Sequence, residues 1–169
     1  MARVGFFDKA KQFIGGKGMA DVTITVIERQ PASSATFPVT DSVLKGTMVI
    51  EAKQDCTLLA TKYELWLYVE QNGQTSTNFV VAGKDPAPNT SYGPGCLIMP
   101  CDLKAGQVIT HPWMVMDVDL PAVLARNGIT DPNAAVDNSR VRLQVKCIAD
   151  VKGSPFDPSA EVDVQLVAG

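Results

Sequence analysis

The chain carries one histidine, His111, among 169 residues, so every scheme that pairs a nucleophile with an imidazole base is confined to that position. Nor is there an excess of positive charge, since 15 Lys+Arg stand against 18 Asp+Glu for a net of -3. Without a cationic surface to draw in nucleic acid by counterion release, no nucleic-acid partner is expected. No apolar run approaches the roughly 20 residues of a membrane-spanning helix. A secretory h-region is also missing, because Val4 to Phe7 is interrupted by Asp8, Lys9 and Lys11. Four cysteines without such a signal point to reduced thiols and a cytoplasmic location rather than a disulfide framework. Glycine and proline, 13 and 11, are too few for a collagen-like or disordered chain. What remains, 46% hydrophobic and 20% charged, is the composition of one packed domain.

Charge is unevenly placed. Arg3, Lys9, Lys11 and Lys17 against Asp8 make +3 in the first twenty residues, leaving -6 for the rest. Val4, Phe6, Phe7, Ala10, Phe13 and Ile14 recur at three- and four-residue steps, the spacing of a short amphipathic helix, and Gly15, Gly16 and Gly18 end it. Residues 1–18 are therefore read as helix and glycine linker, and 19–169 as one β domain. So short a helix is marginal without tertiary contacts, and three lysines are few for stable membrane attachment. Its Phe-rich face is expected to pack on the body; contact of residues 3–17 with a membrane surface is the alternative.

Beyond the glycines the hydrophobic period falls to two. Val22, Ile24 and Val26 alternate with Thr23 and Thr25, and Leu44, Met48, Ile50 and Ala52 with Lys45, Thr47, Glu51 and Lys53; Gly46 marks a bulge or a close backbone approach. From Leu58 to Glu70, Tyr63, Leu65, Leu67 and Val69 share one face, with Lys62, Glu64, Trp66, Tyr68 and Glu70 on the other. Asn72-Gly73 predicts a tight hairpin, with residues 75–81 pairing back. Residues 83–95, rich in proline and glycine, read as a long surface loop. Met114, Met116, Val118 and Leu120 alternate with Trp113, Val115, Asp117 and Asp119 up to Pro121, and a helical turn over 121–126 ends near Gly128. Asp131-Pro132 opens a further turn. Val141 to Ala149 and Val162 to Leu166 complete seven or eight strands, an all-β sandwich.

Chemistry is sparse in this pattern. A Cys101-His111 dyad and a Cys96, Cys101, His111 metal site both lack the expected spacing, and Cys56 and Cys147 fit small buried hydrophobes. Gly15-Gly16-Lys17-Gly18 fails as a phosphate loop, having neither the spacing nor the Ser/Thr. Asp117, Asp119, Asp131, Asn133 and Asp137 are oxygen-rich, but no bidentate Glu follows at calcium-loop spacing. No catalytic, cofactor-binding or metal residue is assigned. Trp66 and Tyr68 stand out, as two aromatics on a nominally polar face must be covered or used. The expected cover is the helix face of Phe6, Phe7 and Phe13; the alternative is a partner or ligand platform.

Several segments together resemble the arrestin-like β-sandwich superfamily, in particular its bacterial sporulation-control branch: Val43 to Ile50 with its central Gly46, Tyr63-Glu64-Leu65-Trp66-Leu67, His111-Pro112-Trp113 through Leu120-Pro121, and Val141 to Val151 followed by Gly153, Phe156, Asp157 and Pro158. The resemblance implies an immunoglobulin-like sandwich of the arrestin N-domain type. It also implies a non-enzymatic cytoplasmic scaffold that binds protein partners, with self-association into a homo-oligomer part of that expectation. The rivals from other classes are a small-molecule or carbohydrate-binding sandwich, using Trp66, Tyr68, Trp113 or the 83–95 loop, and a hydrolase built on His111.

Overall fold

The computed structural model describes residues 18–26, 36–85 and 97–169. The expected helix with Phe6, Phe7, Phe13 and Ile14, the residues 86–95 of the expected loop, and Cys96 all lie outside the described residues. Nine strands are described: β1 (Ala20–Val26), β2 (Thr36–Pro38), β3 (Leu44–Ala52), β4 (Cys56–Gln71), β5 (Gln74–Asp85), β6 (Cys101–Leu103), β7 (Val108–Val115), β8 (Val141–Val151) and β9 (Ser159–Val167). Between β7 and β8 lie one short helix, α1 (Leu120–Arg126), and a 3-10 turn at Pro132–Ala135.

Two open sheets form. The smaller has the order β1-β3-β7; the larger runs β2-β9-β8-β4-β5, with β6 added against β4. Among the described strands only β2 and β9 pair in parallel. Alternating residues of both sheets meet in one core, including Met48, Ile50 and Val115 from the small sheet and Leu65, Leu67, Leu143 and Val145 from the large one. The period-two pattern read from the sequence thus becomes a sandwich-like pair of layers, because each sheet has one apolar face that only the other can cover.

The strand phases hold some surprises. Along β4, Leu58 and Thr61 are both fully buried although their parity differs. A bulge between the Leu58 and Ala60 pairings absorbs Leu59 and brings Leu58, Thr61 and Tyr63 onto one face. A second irregularity at Val80 separates the Leu65–Val81 pair from the Trp66–Phe79 pair. Of the bulge or close backbone approach expected at Gly46, the bulge is not there; β3 pairs without interruption, and Gly46 lies directly across from Trp113.

Three expectations need correction. The hairpin return runs from Gln74 to Asp85, past the predicted 75–81, so Gly83, Lys84 and Asp85 belong to β5 and not to a loop. The strand expected around Trp113 to Leu120 lies earlier, at Val108–Val115, with His111, Trp113 and Val115 buried and Met114 and Met116 half exposed. Pairing with β3 fixes that phase, and Pro112 is tolerated because β7 is an edge strand. Cys56, expected buried, is only partly so, whereas Cys147 is fully buried.

Turn chemistry follows the sequence. Asn72 and Gly73 both adopt positive φ, 51° and 74°, as the tight hairpin requires. Asp119 caps α1, accepting from the Ala122 amide at 3.0 Å, and Asp131 caps the 3-10 turn through Asn133. Two of the acidic residues raised as calcium ligands, Asp119 and Asp131, are thus engaged in capping. No group of three or more potential metal ligands occurs among the described residues.

Candidate functional site

Two clusters of side chains stand out. The first lies on the outer face of the large sheet, where pairing sets Trp66 across from Gln144 and Phe79, Tyr68 across from Arg142 and Thr77, and Glu64 across from Lys146. Trp66 and Phe79 pack edge to face with centroids 5.3 Å apart. The indole Nε1 donates to Glu64 at 2.9 Å, and Tyr68 donates to Gln144 at 3.2 Å while the Arg142 guanidinium sits 4.4 Å over its ring. Glu64, Trp66, Tyr68, Thr77, Gln144, Lys146 and Glu161 line a shallow depression of about 210 Å³. Phe79, which the sequence reading passed over, is half exposed and supplies part of the cover Trp66 required.

The second cluster is buried and bridges the sheets. Tyr63 faces inward from β4, Asp85 ends β5, and His111, only 1% exposed, faces inward from β7. Tyr63 Oη donates to Asp85 Oδ2 at 2.6 Å, and His111 Nε2 lies 3.2 Å from the same oxygen. Thr61 Oγ1 closes the chain at 2.5 Å from Tyr63 Oη. On the other side of the ring the Leu97 amide points at Nδ1 over 3.5 Å, which matches the tautomer protonated on Nε2. Gly83 makes the approach possible: a Cβ there would stand 3.1 Å from the Met114 carbonyl of β7. Beside the cluster the Tyr63 and Trp113 rings stack at 5.9 Å.

Electrostatics fit this wiring. Burial pushes the Asp85 carboxyl up, but hydrogen bonds from His111 and Tyr63, with the charge interaction with His111, outweigh it and hold the group below its ordinary value. Burial, then the bond to Asp85, pushes the Tyr63 phenol far up, so it stays a donor. A carboxyl depressed in the folded state contributes stability that is present above the unfolded value of about 3.9 and is lost as pH falls through the lower folded value. The stability advantage of wild type over Asp85→Asn is accordingly expected to be flat from about pH 5 to 7 and to shrink below about pH 4. Urea titrations across that range check it; an advantage growing toward acid would reverse the assigned sign.

His111 is thus partnered by Asp85, and the dyad with Cys101 does not form: the structure gives His111 no contact to that thiol. Burial pushes the Cys56, Cys101 and Cys147 thiols up, away from nucleophilic thiolate. Tyr63 and Asp85 were not singled out in the sequence. The available signal was a histidine and a tyrosine in phase with buried residues, since a polar group on an apolar face must find a partner.

The two sheets and their order make a β-rich, sandwich-like fold, not closed into a barrel among the described residues. The solved structure that carries this assignment is Spo0M, the sporulation control protein of Bacillus subtilis, with a TM-score of 0.56 and 13% identity over 90% of this chain and 51% of that one. The chain therefore spans about half the length of Spo0M. A protein from Archaeoglobus fulgidus aligns with a TM-score of 0.36 and 12% identity, covering 88% of this chain and 97% of that one. Alkylpurine DNA glycosylase AlkC of Pseudomonas fluorescens, solved bound to DNA containing an abasic site analog, aligns at 0.37 and 12% over 91% and 32%. Neither of these two carries the assignment. No family model matches the sequence, and no curated protein does. Among the described residues no helix is long and apolar enough to cross a membrane.

Proposed function

We propose that this domain is a non-catalytic cytoplasmic scaffold of arrestin-like type that binds partner proteins through the outer face of the large sheet. The observation that carries this reading is the aromatic patch of Trp66, Tyr68 and Phe79, with Phe79 50% exposed beside a Trp and a Tyr, the residue types that dominate protein interfaces. The fold shared with a sporulation control protein supports a regulatory role. His111, the one candidate base, has both ring nitrogens occupied, which supports a structural part for it.

Phe79→Asp is expected to abolish retention of partner proteins from the native host while costing no more stability than about 0.5 to 1.5 kcal/mol, the worth of its edge-to-face pair with Trp66. Affinity capture with both proteins tests this, and an unchanged partner set would sink the reading. The rival is a small-molecule or saccharide site in the depression, whose polar groups flank two aromatic rings. Its volume is below the roughly 300 to 1,000 Å³ of ordinary ligand pockets. Ligand at a hundred times its Kd would add about 2.7 kcal/mol of stability, so a thermal-shift screen separates the two.

A further inference from the structure

We infer that the free edge of β5 pairs with the same edge of a second copy of this chain, joining two large sheets across a twofold axis. This goes beyond the partner-binding reading and does not rest on it. β5 closes one side of the large sheet. From Gln74 to Gly83 it holds ten successive residues with no charge and no proline, two of the devices that guard an edge strand, and the irregularity at Val80 is the guard it does carry. Among the described residues its main chain makes no backbone-to-backbone hydrogen bond beyond the β4 pairing, though the Ser76 carbonyl accepts from the Asn78 side chain at 3.3 Å.

The irregularity at Val80 makes the strand complementary to itself. Before it, Thr75, Thr77 and Phe79 pair with Glu70, Tyr68 and Trp66 and so point to the outer face; after it, Ala82 and Lys84 pair with Glu64 and Lys62 and point the same way. An antiparallel copy must therefore align odd positions before Val80 with even positions after it. The register that centres the twofold on the irregularity does so on either side of it, with Thr75 across from Lys84 and Thr77 across from Ala82, while Val80 itself packs on the core. It also matches Gln74 with Asp85, so the whole strand is used end to end.

Charge follows the same register. Lys62 and Lys84 are directly opposite on the outer face, a like-charged pair in which Lys62 has Asp150 as an ion-pair partner at 3.5 Å. At the other end of the hairpin Glu70 is opposite Thr75. Among the described residues neither Lys84 nor Glu70 has an ion-pair partner. Pairing puts Lys62, Lys84, then Thr75 and Glu70 of the second copy in one row. Lys84 then lies two strand spacings, about 10 Å between backbones, from that Glu70. The two extended side chains can meet over the small threonine, and symmetry makes the contact twice.

Sedimentation of the full chain over a range of concentrations tests the pairing. Wild type is expected to pass from monomer to dimer. Lys84→Glu is expected to weaken the dimer about tenfold or more at low salt, by setting two acidic groups face to face, while the monomer's melting temperature holds or rises as the Lys62 repulsion is removed. The double variant Glu70→Lys with Lys84→Glu should restore association to within about threefold of wild type. A loss of association through misfolding would lower the melting temperature and would not be rescued. The inference fails if wild type stays monomeric at about 100 μM, far above the Kd of a specific dimer. It fails equally if Lys84→Glu leaves the dimer intact or the double variant does not recover. Should removal of residues 1–15 abolish association where Lys84→Glu does not, the contact lies elsewhere.

Discussion

Asp85→Ala is expected to cost about 2 to 4 kcal/mol of folding stability, because it orphans two buried donors at once, each worth roughly 1 to 3 kcal/mol when left unsatisfied. Tyr63 Oη and His111 Nε2 converge on one carboxylate oxygen, and among the described residues no other acceptor for the imidazole Nε2 is present. The side chain of Asp85 is 21% exposed, so water can reach the gap and holds the loss below the upper sum of the two donors. A shift of the urea midpoint with unchanged slope is the expected readout. Pairing the change with Tyr63→Phe should recover part of the loss, since the phenol no longer needs an acceptor, with a coupling of about 0.5 to 3 kcal/mol. A cost under about 0.5 kcal/mol would mean that the clasp between β4, β5 and β7 is replaced by solvent without penalty.

Gly83→Val should be comparably harmful, at about 1 to 3 kcal/mol, the range for overpacking a well-filled interior. The first added carbon would meet the Met114 carbonyl at 3.1 Å, Tyr63 Cδ2 at 3.4 Å and Val115 Cγ1 at 3.5 Å, and the two further methyls have less room still. A backbone carbonyl cannot swing aside as a flexible side chain can, so β7 has to retreat from β5. His111, two residues before Trp113 on that strand, is carried away from Asp85. Thermal melting measures the loss, and the His111 ring signals in an NMR spectrum report the retreat. A valine variant as stable as wild type, with those signals unmoved, would show that the sheets are not held together at Gly83.

The strands themselves were legible because alternation is local. Val141 to Ala149 reads as a half-buried strand from its own residues, as does Tyr63 to Val69, and both are strands with the expected inward faces. The turn at Asn72-Gly73 and the end of α1 at Gly128, with φ of 79°, were equally local, since positive φ selects those residue types. The expectation of an all-β sandwich agrees with the observed layers, while the amphipathic segment and its Phe6, Phe7 and Phe13 fall on residues the structure does not describe.

Where the sequence reading failed, the deciding contact was remote. The alternation of Met114, Met116 and Val118 is as good a pattern as that of His111, Trp113 and Val115; pairing of β7 with β3, some 65 residues earlier, selected the second set. The proline- and glycine-rich stretch after residue 83 looked like a loop from its start, yet Gly83 is a strand residue paired with Tyr63, at a point where a side chain would press on the Met114 carbonyl of β7. Nothing in the neighbourhood of Asp85 or Tyr63 announces that they share a proton-bond network with His111, 26 and 48 positions away. Composition and period sufficed for the class of fold, because burial of one face per strand is a local demand. Which buried polar groups meet was decided by the packing of one sheet on the other, because an unsatisfied donor in the core can only be answered by whatever the opposite layer places there.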